Sequence, residues 1–243
     1  MPIVTGSRGP TALPEPPVGN HGGMRIRPVG AHALLLDCDD TDQVEAWRAE
    51  LTRRRAAGEL TAVEIVPAAR TVLLDGVPDP DRAATLVAHW TPYPADPAGP
   101  AGGTPAAGTT PTGGTPPAEV EVPVTYDGAD LPVVAGHWGV AVPEVIARLT
   151  GTPFRVAFCG FAPGFAYLTG LPPEWAVPRL ATPRPRVPAG SVALAGPYAG
   201  IYPGASPGGW LLVGRTGLTL FDVTVDPPAR LAPGTRVRLA ATA

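Results

Sequence analysis

The chain contains no lysine: all 18 of its basic residues are arginine. That excludes a P-loop lysine, a Schiff-base lysine and a lysine general base. Charge of either sign is scarce, at 16% of residues, and the net charge is −3. The one basic run is Arg53-Arg54-Arg55, so no nucleic-acid partner is expected. Cysteine is limited to Cys38 and Cys159, and histidine to His21, His32, His89 and His137. Two distant cysteines make no disulfide framework and fit a reducing compartment. The dispersed Cys and His show no paired metal-ligand spacing, so no metal site is expected. No apolar run approaches the length of a membrane span. The first 23 residues are rich in Pro and Gly and lack the apolar centre of a secretory signal. The expectation is a cytoplasmic protein with no membrane partner.

What is abundant is glycine and proline, 30 and 34 of 243 residues, beside 44% hydrophobic residues. Apolar content at that level affords a core, and the turn formers favour short strands over long helices. Residues 1–23 read as a disordered extension. Order begins at Met24. MRIRPVG and ALLLDCD read as strands, followed by a helix with Asp40 at its N-cap, Gln43 three positions on, Val44, Trp47 and Leu51 at helical spacing, and Gly58 just past its end. The three arginines fall in its last turn, where they suit the helix dipole, and read as a solvated helix end. TAVEIVP and RTVLLDG are two more strands. Asp79-Pro80 then opens a second helix carrying Ala83, Leu86, Val87 and Trp90. Residues 24–90 therefore form a small α+β domain.

Residues 91–118 have almost nothing to bury and read as a Pro/Gly-rich linker. Residues 119–243 read as a second, barrel-like domain. EVEVPVTY alternates Val120, Val122 and Val124; a short helix starts at Pro143; FRVAFC, SVALAG, GWLLVGRT, LTLFDV and TRVRLA are strands.

The segment from Phe158 to Thr216 is the functional centre of this reading. Gly204-Ala205-Ser206-Pro207-Gly208 matches G-x-S-x-G, yet it is no nucleophile elbow. The residue after the nucleophile must donate its backbone N–H to the oxyanion hole, and Pro207 has none. All four histidines also precede Ser206, against the order that a hydrolase of that type needs. Cys159 ends an apolar strand, where cysteine behaves as a small hydrophobe. What remains is a set of binders. Arg179, Arg184, Arg186 and Arg215 offer guanidinium forks for a carboxylate or phosphate. Ser191, Tyr202 and Ser206 add hydroxyls, and Gly208-Gly209 permits close approach of a ligand. Arg184, Arg186 and Arg215 are expected to be the anionic anchors of a pre-shaped surface.

GFAPGFAYLTGL from Gly160, PRLATPRPRVPAGSV from Pro178 and GIYPGASPGGWLLVGRT from Gly200 resemble the signature of the B component of the bacterial 5-oxoprolinase. The same family includes proteins described as allophanate hydrolase subunit 1 and the KipI-type sporulation kinase inhibitors. The resemblance implies a cyclophilin-like β-barrel after the small α+β domain. It also implies a complex with a C-type cyclophilin-like partner and a LamB/YcsF-type A component. Such a complex opens 5-oxoproline to glutamate with ATP as co-substrate, together with Mg2+, and no tightly bound cofactor. The implied chemistry is phosphorylation of the lactam oxygen, with arginines holding an anionic group; no catalytic residue follows from it. A KipI-type kinase-binding module and an allophanate hydrolase-like component are the alternatives. The chain departs from the family at Leu149, where relatives often carry histidine.

Overall fold

The computed structural model describes residues 20–21, 24–92 and 119–242. Apart from Asn20–His21 and residues 91–92, the expected N-terminal extension and linker lie outside them. The first sheet runs β1 (Asn20–His21), β2 (Met24–Pro28), β3 (Ala33–Asp37), β5 (Thr71–Asp75) and β4 (Glu64–Pro67) in spatial order, antiparallel throughout. Helices α1 (Thr41–Ala56) and α2 (Pro80–Ala88) belong to the same unit. The period-2 alternation places Ile26, Leu34, Leu36, Val72 and Leu74 in one core with Val44, Trp47 and Leu51 of α1 and Ala83 and Val87 of α2.

Both ends of α1 form as their residue types require. Asp40 Oδ1 accepts the Gln43 N–H at 2.8 Å, and Gln43 Oε1 accepts the Asp39 N–H at 2.7 Å. At the other end Gly58, with φ of 74°, lets the Gly58 and Glu59 N–H groups return to the Arg55 and Arg54 carbonyls, a Schellman closure. The last-turn arginines are more constrained than a solvated helix end. Buried Glu50 accepts from Arg53 and Arg54, Arg54 also pairs with Glu59 and lies 4.7 Å from the Trp90 ring centre, and Arg55 donates to the Val63 carbonyl.

The second sheet is a nearly closed barrel. It comprises β6 (Glu119–Val124), β7 (Phe154–Cys159), β8 (Ala166–Thr169), β10 (Ser191–Ala195), β11 (Tyr198–Ile201), β13 (Leu211–Arg215) and β14 (Arg236–Ala241), in the order β13-β10-β11-β8-β7-β14-β6. Two 2.9 Å backbone hydrogen bonds between Thr125 and Arg215 bridge the ends of its two edge strands. β9 (Arg184–Val187) and β12 (Ser206–Gly208) form a separate ribbon. Helices α3 (Leu131–Trp138) and α4 (Val142–Gly151) send Leu131, Val134, Val145 and Leu149 into the barrel core. Burial of each such side chain contributes about 1.5–3 kcal/mol.

The fold is thus α+β, as the sequence predicts, and it differs in detail. α3 went unrecognised because Pro132 and Gly136 interrupt its helical pattern; Pro132 lies in the first turn, where proline is tolerated. LTLFDV forms no strand. Leu220 fills the barrel core, while the backbone bonds locally, with Arg230 N–H to Leu220 O and Asp222 N–H to Pro228 O. No described helix is long and apolar enough to cross a membrane.

Candidate functional site

Strand β10 is buried on both faces, and that fact generates the site. Val192 and Leu194 point into the barrel, while Ala193 and Ala195 point outward into a second apolar cluster with Phe165, Val187, Tyr202 and Trp210. The same alternation turns Tyr167 of β8 and Leu212 of β13 outward. Phe165 meets Tyr202, Trp210 and Tyr167 edge to face at 5.0–5.5 Å between ring centres, the geometry that aromatic quadrupoles favour. Only small residues fit beneath these rings. A Cβ at Gly200 would lie 2.9 Å from Trp210 and 3.0 Å from Phe165.

Over this layer opens a cleft of about 100 Å3, lined by Phe161, Phe165, Tyr167, Arg179, Tyr202, Pro207, Gly208, Gly209 and Trp210. Phe161 sits at the cleft with φ of 70°, in the left-handed region, and its side chain is 62% exposed. A bulky residue held there costs roughly 1–3 kcal/mol. Arg179 lies 5.8 Å from the Trp210 ring centre and forms no ion pair among the described residues. Burial raises the Tyr202 phenol above its ordinary pKa, so it stays neutral and acts as a hydrogen-bonding group.

The residues expected at the site divide. Tyr202, Gly208 and Gly209 line the cleft, and a Cβ on Gly208 would collide with the Tyr202 hydroxyl. Ser206 lies on the same strand, its Oγ buried and without a hydrogen-bond partner. Arg184 is committed elsewhere: its Nη2 bonds both carboxylate oxygens of buried Asp130 at 2.7 and 2.8 Å, and its Nη1 the Trp210 carbonyl at 3.3 Å. Asp130 also accepts the Leu212 N–H at 2.7 Å. Arg184 thus clamps the ribbon to the barrel. Arg215 pairs with Asp127 at 2.7 Å and stands opposite Ser191, whose Oγ donates to the Pro188 carbonyl; both belong to the barrel seam. Arg186 is exposed on the ribbon. Phe161, Phe165 and Asp130 were missed as site residues. The aromatic motif signalled the first two, whereas nothing local marks Asp130 as the partner of Arg184.

The cysteines are inert. Cys159 is half-buried, donates to the Leu231 carbonyl at 3.2 Å, and burial raises its pKa; burial pushes Cys38 up to about 12. Leu149 is fully buried among barrel-core side chains, so its position faces away from solvent.

The family described as carboxyltransferase domain, subdomain C and D, matches residues 24–231. This chain belongs to that family. A relative in Escherichia coli O157:H7, named as the B component of 5-oxoprolinase, is 49% identical over 122 residues, 49% of this chain and 56% of the relative. The crystal structure of TTHA0988 superposes with a TM-score of 0.67 at 31% identity, covering 87% of this chain and 40% of that one. The K. lactis urea amidolyase shares the fold at 17% identity, with a TM-score of 0.61, over 90% of this chain and 15% of its own. The family member described here spans about half the length of the curated relatives it matches.

Proposed function

We propose that this chain is the B-type component of an ATP-dependent 5-oxoprolinase. It works with a C-type cyclophilin-like partner and a LamB/YcsF-type A component to open 5-oxoproline to glutamate. The observation that carries this reading is the 49% identity with a relative that bears the name of the 5-oxoprolinase B component. Within such a complex the aromatic cleft has a fitting role. At about 100 Å3 it admits one ring-sized apolar side chain of the C-type partner, held against Phe161, Phe165 and Trp210 as a buried anchor. The cleft does not fit a nucleotide, since small-molecule sites run to about 300–1,000 Å3. The larger space between the two domains has Asp42, Glu45 and Glu119 beside Arg155, Arg236 and Arg238 in its walls, and the chain has no lysine to help hold a polyphosphate. ATP and its Mg2+ are therefore assigned to one of the partners.

The test is co-expression of the three components and measurement of 5-oxoproline-dependent ATP hydrolysis. Activity is expected only with all three present. Equal activity without this chain, or no dependence on 5-oxoproline, overturns the proposal. Allophanate in place of 5-oxoproline tests the allophanate hydrolase-like alternative in the same assay. A second reading, a KipI-type kinase-binding module, is favoured by Phe161, an exposed aromatic in a strained backbone. Inhibition of a histidine kinase's autophosphorylation by this chain alone, with no activity in the three-component assay, would select it.

A further inference from the structure

Between the two domains lies a second cleft of about 400 Å3. One wall is the start of α1, with Asp42 and Glu45. The other is the outer face of β7 and β14, with Arg155 and Arg236. These two arginines stand directly opposite each other in an antiparallel pair, while their neighbours Phe154 and Val237 point into the barrel. Like charges so placed destabilise a sheet unless a counter-ion lies between them. Glu45 does so only in part. Its Oε1 is shared between Arg155 and Arg48, each at 2.7 Å, and its Oε2 is taken by Arg48. Arg236 has no side-chain partner among the described residues, and the Nε of Arg155 is buried without a hydrogen-bond acceptor. The remaining charges near the cleft, Asp42, Glu119 and Arg238, are exposed at its rim, where water screens them. The floor therefore carries an excess of positive charge and unused N–H donors.

We propose that this interdomain cleft binds a small carboxylate, held by Arg155 and Arg236. A planar carboxylate matches the donors of a guanidinium, and one negative charge offsets the opposed arginines. A phosphate with two charges would meet more repulsion from Glu45, which lies beside Arg155. A cleft of this size holds a ligand of about a dozen heavy atoms. Since its walls come from two domains, binding bridges them. Only the choice of 5-oxoproline as a probe rests on the 5-oxoprolinase reading.

The experiment is isothermal titration of the full chain with L-5-oxoproline, with cyclopentanecarboxylate, with 2-pyrrolidinone, which lacks the carboxylate, and with inorganic phosphate. The two carboxylates are expected to bind and 2-pyrrolidinone not to, with Arg236→Gln weakening the carboxylates about tenfold, the loss of one charge-assisted contact. Binding of cyclopentanecarboxylate without 5-oxoproline keeps the carboxylate site and counts against 5-oxoproline as its ligand. No carboxylate binding up to about 10 mM, binding unchanged by Arg236→Gln, or preference for phosphate overturns the proposal. If Arg236→Gln fails to fold, the native chain decides: carboxylate binding must weaken as salt rises, and salt-independent binding overturns it.

Discussion

The two clefts of this molecule use arginine in opposite ways. Beside the aromatic cleft, Arg184 is consumed by Asp130, and the cavity above it is small and lined mainly by aromatic rings and glycines. Between α1 and the second sheet, Arg236 is unpaired among the described residues, Arg155 is only partly satisfied, and the cavity is larger and walled by side chains of both charges. An arginine is therefore a ligand anchor only when the fold leaves its charge unspent. Chemical type does not distinguish Arg184 from Arg236; the position of the nearest carboxylate does.

This contrast breaks most readily at Asp130. Asp130→Ala leaves the Arg184 guanidinium and the Leu212 N–H without their acceptor, and is expected to cost about 2–4 kcal/mol in urea unfolding, discounted because Arg184 is partly exposed. Arg236→Ala is expected to cost less than about 0.5 kcal/mol by the same measurement. Equal costs would erase the distinction between a spent and an unspent arginine. The aromatic cleft itself is tested next by Gly208→Ala. Overpacking against Tyr202 should cost about 1–3 kcal/mol and weaken assembly with the proposed C-type partner, while carboxylate binding at the proposed Arg155–Arg236 site is unchanged. Smaller still is the effect at Phe161. Removing the ring in Phe161→Ala keeps the left-handed strain, whereas Phe161→Gly relieves it, so the glycine variant should be the more stable of the two by about 1 kcal/mol, read from thermal melts. The smallest effect concerns α1, the helix whose start walls the interdomain cleft. Hydrogen bonds from Arg53, joined by Arg54, hold the Glu50 carboxyl below its usual range. Its contribution is present above the ordinary carboxylate pKa and fades as pH falls through the lowered one. Glu50→Gln should flatten the acid limb of a stability–pH curve below about pH 4.

Local patterns were legible wherever one residue type forces one conformation. Asp40, Gly58 and Asp79-Pro80 marked helix ends because caps and turns depend on a few adjacent groups. The barrel strands with clear alternation were equally readable. β8, β9, β11 and β12 were not picked out, since three or four residues among glycines and prolines carry too little periodicity. The site was legible as a region and not as a set of contacts. GFAPGF and SPGGW pointed to shaped backbone, and Tyr202, Gly208 and Gly209 do line one cleft. Arg184 and Arg215 looked free because their carboxylate partners lie 54 and 88 positions away.

By itself the sequence determined what this protein cannot use, lysine chemistry and a serine elbow at Ser206, because those depend on the presence of one atom or one N–H. It also determined the family, through long consecutive motifs. Only the tertiary structure decided which arginines are neutralised, that Phe161 stands exposed with a strained backbone, and that Arg155 pairs with Glu45 of α1 while Arg236 beside it stays without a partner among the described residues. Those outcomes depend on distances between groups remote in the chain, and electrostatic attraction and desolvation act through space.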